Sequence, residues 1–598
     1  MRFQSRLVCL LVVAGMLTLT CQAPAGETQE VSIGDTIVDV TFKDIRYLPR
    51  RLSEFGEHPA YVAVFVNTTC PIVQRYMPKL KRLHEAYPDV QFMAINVSEA
   101  DSIRDMAMHA LEYDVPFPFV KDIAGNCVEA MGVQRTPEVV VLDAERNLRY
   151  RGRIDDQYRL GGNTPRVTSD ELKNAIDAVL AGTEVSVAET AVDGCRITPY
   201  APVEPDESLT WESDIAPLMK KHCAECHQPN TEAPFALLSY EDVAANAEMV
   251  AETVAEERMP PWYGAPEDEE FINDRSMTEE EKQTILKWVA AGAPAGNEKV
   301  TVVPDDVREG RTWLLGEPDR VITALEEHKL PAEGYVDYQY SILPYVFEED
   351  TWVQKVEILP DNPRVVHHCN LLMFKPTEGI KTARFITGKV PGVGALSLEN
   401  GIAVHFPRGH ALALQIHYTT TGQKERCRLS LGLTHARETV KKSFRHVLVS
   451  NYGFQIAPGD GHSLVKEQET FEHDVTGIGM FSHMHVRGKD MTFTAEFPDG
   501  KREKLLTVPN YSFDWQLGYE WPERQRKFPA GTKIEVEAHF DNSKFNPYNP
   551  DPTETVGYGP QTYHEMMMGF FFYTQDDENL NLTIDPKTGH VVKETASR

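Results

Sequence analysis

Between Phe481 and Gly488 the chain reads Phe-Ser-His-Met-His-Val-Arg-Gly, within sequence that alternates like a strand. Residues two apart on a strand share a face, so His483 and His485 are predicted to reach one point and form a two-imidazole metal claw. Two histidines do not complete a site. Tyr563-His-Glu-Met-Met-Met-Gly569 follows downstream, and a thioether added to two imidazoles favours copper, above all Cu(I), over zinc. A second cluster lies upstream, in Val366-His-His-Cys-Asn370 and in Leu414-Gln-Ile-His-Tyr418. Adjacent histidines on a regular strand point to opposite faces, so His367 and His368 share a metal with His417 only if a bulge or strand end turns one of them.

His-His, then Gln-Ile-His-Tyr, then His-Met-His, then Glu-Met-Met-Met resembles, in order and over roughly residues 310 to 580, the copper type II monooxygenases such as dopamine β-monooxygenase and peptidylglycine α-hydroxylating monooxygenase. Any one of these motifs alone is better read as structural; four in order are specific. The resemblance implies two jelly-roll-like β-sandwiches, one per copper, with an open cleft between them. It implies one copper on His367, His368 and His417 as an electron store. It implies a second copper on His483, His485 and Met566 that activates O2 to hydroxylate a C–H bond. The alternation with turns at Pro498-Asp-Gly500 and Asn546 to Pro552 is all-β sandwich grammar in its own right. The two sandwiches are expected at 313–445 and 446–590.

Residues 26–198 alternate strands and helices, with Ala60–Val66 as a buried strand, Cys70–Tyr87 a helix, and further strands at 90–97, 137–142 and 149–154. Thr168-Ser-Asp-Glu171 reads as a capping box for a last helix ending at Gly182. The class is α/β with a mixed sheet. Cys70 falls at a helix N-terminus ahead of Pro71, where unpaired N–H groups favour thiolate. With Thr136-Pro137, an expected cis-proline, and Arg151 to Asp156, this segment resembles thioredoxin-fold redoxins of the peroxiredoxin-like type. It departs from them at Val73, where a dithiol oxidoreductase has its second cysteine, and at Asn67, where peroxiredoxins have threonine.

A Pro-rich acidic linker at 199–209 leads to Lys221-His-Cys-Ala-Glu-Cys-His-Gln228. Cys223, Cys226 and His227 make a CxxCH motif, the signature of covalently attached haem c. A structural zinc site is the alternative, and it lacks a second ligand pair. Met259 is the expected sixth ligand of the iron, with Met249 and Met277 as rivals. Met277 to Trp288 reads as the helix closing a small all-α cytochrome c domain over 210–296, followed by a linker at 297–312.

The net charge of −30 repels nucleic acid and anionic lipid. Residues 1–25 read as an export signal, with Arg2 and Arg6, an apolar run, and Ala23-Pro-Ala25 for cleavage. A periplasmic or extracellular chain is expected; Thr20 before Cys21 is bulkier than a lipoprotein signal takes. No later run is long enough to span a bilayer. Of the nine cysteines, Cys9 and Cys21 leave with the signal and two belong to the haem motif. The odd remainder predicts disulfides Cys127–Cys195 and Cys369–Cys427 with Cys70 free; a copper-bound Cys369 is the alternative.

The expectation is therefore a monooxygenase with two coppers and one haem c, fed by an external electron donor and acting with O2 on a small substrate. Where peptide-amidating relatives hold a carboxylate, this chain has Phe481, Met568 and Phe570, an apolar wall suited to an uncharged molecule. A redox carrier or thiol peroxidase centred on Cys70, with a copper-binding module that does not hydroxylate, is the other class the sequence leaves open.

Overall fold

The computed structural model describes residues 31–592 except 160, 230, 232, 266–269, 306, 308–312, 391–394 and 523–525. The expected signal at 1–25 lies outside the described residues, as does part of the expected linker at 297–312.

Ala60–Val66 is buried at every position, which only a strand inside a sheet covered on both faces allows. The sheet runs Pro49–Arg51, Thr41–Asp44, Phe119–Asp122, Gln91–Asn96, Ala60–Val66, Glu138–Asp143, Leu148–Gly152. Gln91–Asn96 is parallel to its neighbours on both sides, whereas Glu138–Asp143 is antiparallel to both of its own. Alternation splits the central strand: Ala60, Val62, Val64 and Val66 enter one core, and Tyr61, Ala63 and Phe65 the other. The last helix is Glu171–Leu180 with Asp170 as N-cap and no side-chain cap bond. The capping box expected at Thr168 does not form, because Thr168 is drawn to Asp156 and Glu171 to Arg153.

Short helices joined by irregular chain follow the redoxin-side sheet. Thr210 caps a turn that runs into Ala216–His222, immediately before the CxxCH motif. Tyr240–Ala245, Ala247–Ala255 and Glu279–Ala290 complete the segment around Trp211, Met219, Ile285 and Trp288. Thr278 and Glu281 make the capping box of the last helix.

The remainder is β. In the first sandwich Arg320–Thr323, Leu429–His435, Thr351–Pro360, Ile402–Phe406 and Lys442–Ser443 share a core with the four-stranded sheet Gln339–Val346, Ala411–Tyr418, Val366–Phe374, Arg384–Lys389. In the second, Arg445–Ser450, Met568–Gln575, Val475–His483 and Gly518–Glu520 share a core with Ser463–Thr470, Lys533–Phe540, Gly488–Glu496 and Arg502–Val508. Trp262, Tyr263 and Phe271 of the helical segment enter that second core. Among the described residues no helix is long and apolar enough to cross a membrane.

Candidate functional site

His368 and His417 stand opposite each other on adjacent antiparallel strands, with ring centroids 5.0 Å apart. His367 would face away, but the register shifts between Val366 and His368, and this irregularity brings the Nδ1 atoms of His367 and His368 to 3.1 Å. One ligand atom from each of the three histidines lies within 4.8 Å of the others. His417 Nδ1 is buried and has no hydrogen-bond partner. The opposite nitrogen of His368, Nε2, meets the Tyr338 hydroxyl at 2.9 Å, and the Tyr338 ring stacks on His417 at 5.0 Å. Burial, helped by the neighbouring imidazoles, holds His368 well below the usual histidine range, and burial with His367 brings His417 down to about 3. His368 and His417 are thus neutral, the form that binds a metal.

His483 and His485 have ring centroids 5.2 Å apart. Gln516 Oε1 meets His483 Nδ1 at 2.8 Å and the His564 carbonyl meets His485 Nδ1 at 3.2 Å, which leaves each Nε2 as the ligand atom. His483 pairs in register with Met568, the last pair of that ladder, and Met566 lies two residues before it, buried in irregular chain. Glu565 fixes this arrangement by accepting from the backbone N–H groups of His485 (2.9 Å), Arg487 (2.7 Å) and Met566 (3.2 Å). Burial pushes Glu565 up to about 8 against the pull of those N–H groups.

The two clusters meet. The rings of His368 and His483 lie 6.4 Å apart, and Phe513 packs against His367 at 5.4 Å, His417 at 5.8 Å and His485 at 6.1 Å. The two clusters therefore face each other where the sandwiches meet, with the half-buried Phe513 against both.

In the helical segment, His227 Nδ1 meets the Phe235 carbonyl at 3.0 Å, leaving Nε2 as the donor for an iron. Cys223 packs with Phe235 and Met277 against the helical core; burial pushes its thiol up to about 12. Met259 lines a small cavity with Met277, Arg104 and Trp262. Met249 is exposed.

Cys70 is the N-cap of Pro71–Ala86, and its N–H bonds Asn67 Oδ1 at 2.7 Å. Val73 is fully buried one turn on. The expected Cys127–Cys195 pair is not formed. Cys127 sits in the core on the opposite face of the sheet from Cys70, its Sγ facing the Thr41 carbonyl. Cys195 packs on the Cys70 side, and their sulfurs are 3.0 Å apart. Cys369 and Cys427 share the core of the first sandwich as thiols, with Cys427 Sγ turned to the Asn362 carbonyl at 3.7 Å.

Residues 33–164 match the family model described as Redoxin. The N-terminal domain is a redoxin domain with a thioredoxin-like fold. Over 145 residues the chain is 27% identical to the thiol-disulfide oxidoreductase ResA of Geobacillus thermodenitrificans (strain NG80-2), covering 24% of this chain and 82% of that protein. Among solved structures it is similar to the hypothetical protein SMc02350 of Sinorhizobium meliloti 1021, at 29% identity over 29% of this chain and 96% of the other, with a TM-score of 0.27. An uncharacterized conserved protein of Geobacillus kaustophilus gives 28% identity over 29% and 93%, also at 0.27.

The redoxin domain is seated on the second sandwich. Phe55 stacks on Phe545 at 4.8 Å, the Arg50 guanidinium lies 4.1 Å over the same ring, and Arg46 pairs with Asp541 at 3.0 Å. His462 and His539 stack at 4.2 Å, and His462 Nε2 meets Asp114 of the redoxin domain at 2.8 Å. His405, His410, His435 and His473 stay apart from both clusters, in contacts of their own. His564 meets His485 through its carbonyl, while its ring packs on Tyr563. Tyr338, Phe513 and Gln516 carry no motif, and sequence reasoning missed all three.

Proposed function

We propose that this chain is an exported oxidoreductase whose β half binds two coppers, one on His367, His368 and His417 and one on His483, His485 and Met566, and hydroxylates a small organic substrate with O2. The observation that carries the reading is the convergence of histidines drawn from separate stretches of sequence into two abutting clusters, one of them with a ligand atom from each of three histidines within 4.8 Å of the others. Bound copper supplies one-electron storage at the first cluster and O2 chemistry at the second. The residues around it position and exclude. Gln516 and the His564 carbonyl fix the ring orientation of the HxH pair, Tyr338 braces His368, and Phe513 packs against both clusters.

Phe481 lies two residues from His483 and opposite Phe570 in register, so both rings share the sheet face of His483 and Met568. They lie 5.8 Å apart, and Phe385 of the first sandwich closes on Phe570 at 4.8 Å. A carboxylate against these rings would lose its hydration with no charged partner, so an uncharged or aromatic substrate fits. Haem c on Cys223, Cys226 and His227, with Met259 as the other ligand, is the electron entry, fed by an external donor. The redoxin domain adds thiol chemistry of the kind named in its relative ResA. Metal and haem analysis of protein exported to the periplasm should find two coppers and one haem per chain, and reductant-driven O2 uptake should rise with neutral aromatic compounds. Zinc alone, a single copper, or faster turnover of glycine-extended peptides would overturn the reading.

A further inference from the structure

Beyond residue 164, where the family match ends, the chain returns to the redoxin domain as a short strap. Cys195–Arg196 pairs antiparallel with Arg135–Thr136, Cys195 opposite Thr136. Ile197 N–H bonds the Gln134 carbonyl at 2.9 Å, and Arg135 Nη1 bonds the Gly194 carbonyl at 2.7 Å. Gly194 allows the approach: a Cβ there would stand 2.2 Å from the Thr136 carbonyl oxygen. The strap sets Cys195 Sγ 3.0 Å from Cys70 Sγ, with the Cys195 thiol donating. Val73 occupies the place of a second cysteine in the helix, so the partner thiol comes from outside the helix altogether.

The two sulfurs differ in access. Cys70 is 1% exposed, whereas Cys195 is partly open to solvent. We propose that Cys70 and Cys195 are a redox-active dithiol whose exchange with outside thiols runs through Cys195, with Cys70 as the buried leaving and resolving sulfur. In the oxidised pair an external thiolate attacks Cys195 Sγ, the Cys70–Cys195 bond breaks, and Cys70 departs as thiolate. A second external thiol then displaces Cys195 and leaves as the external disulfide. Two electrons pass from the thiols to the pair; Cys195 takes one of their protons and the other goes to solvent while Cys70 stays ionised. The surroundings suit that division of roles. Burial pushes the Cys70 thiol up, but the bond from Cys195 and the N–H groups of Val73 and Ile72 more than offset it, so it titrates below the ordinary thiol value. Burial and the neighbouring Cys70 push Cys195 up to about 11. The lower-pKa sulfur is the better leaving group.

The test uses the full chain treated with oxidised glutathione, alkylated without reduction and mapped by mass. Wild-type protein should yield a Cys70–Cys195 linked peptide that dithiothreitol removes. Cys70→Ser should accumulate glutathione on Cys195, and Cys195→Ser should leave Cys70 unmodified in the native state, yet alkylated once unfolded. A Cys127–Cys195 link, or glutathione gathering faster on Cys70 in Cys195→Ser than on Cys195 in Cys70→Ser, would overturn the proposal. Copper content measured on the same samples keeps this result separate from the copper reading, since neither cysteine touches those ligands.

Discussion

The two histidine clusters are built in opposite ways. In the first sandwich the Nδ1 atoms of His367 and His368 converge, and the rings are held chiefly by other rings, Tyr338 on His417 and Phe513 on His367. In the second sandwich the Nδ1 atoms are taken by Gln516 and the His564 carbonyl, so Nε2 is the ligand atom and ring orientation is set by hydrogen bonds. A site braced by stacking tolerates small rotations of its ligands, whereas one braced by directional bonds holds each ring at a set angle. The electron-storing role proposed for the first and the O2 chemistry proposed for the second match that difference, because positioning demands are greatest where bonds are made.

Substitutions sharpen the contrast. The largest effect is expected from His417→Ala, which removes one of three donors: copper content should fall by one ion per chain, and loss of both ions would show that the abutting clusters load as one unit. Glu565→Ala comes next. It leaves the N–H groups of His485, Arg487 and Met566 without their acceptor, at about 1–3 kcal/mol for each that water does not reach, read as a lowered unfolding midpoint in the apo protein. Gln516→Leu should weaken copper at the HxH cluster about 10–100-fold while leaving the all-histidine cluster unchanged, measured by competition with a Cu(I) chelator. The smallest effect belongs to Tyr338→Phe, which keeps the stack and loses one hydrogen bond, about 0.5–1.5 kcal/mol. If its effect on copper affinity equals that of Gln516→Leu, the distinction between stacked and bonded clusters fails.

The elements that could be read from the sequence were those with a repeating local pattern. The apolar run at Ala60–Val66, the helix starting after Cys70 and the helix starting after Met277 are all where local pattern places them. The need to turn His367 was also legible, since two adjacent histidines cannot share a strand face, and the register shift at Val366 meets it. What could not be read depends on which distant segments meet. Cys195 sits in a two-residue strand with no pattern of its own, and cysteine arithmetic could not tell which face of the sheet Cys127 would occupy. Phe513 and Gln516 lie between strands, where spacing carries no information about the cluster they serve. Thr168 misled because a cap sequence competes with any nearby carboxylate, and Asp156 was nearer.

The seat of the redoxin domain bears on how the chain is made. Arg50 bonds the carbonyl of Phe545, 495 residues later, and Phe55 stacks on that residue's ring. Synthesis proceeds from the N-terminus, so the whole redoxin sheet is made long before its cover exists, and Phe55 waits for Phe545 through most of translation. The last sandwich to emerge closes that face. The apolar face that carries Phe55 is therefore uncovered for a defined interval, beginning once the redoxin sheet is complete and ending when Phe545 arrives.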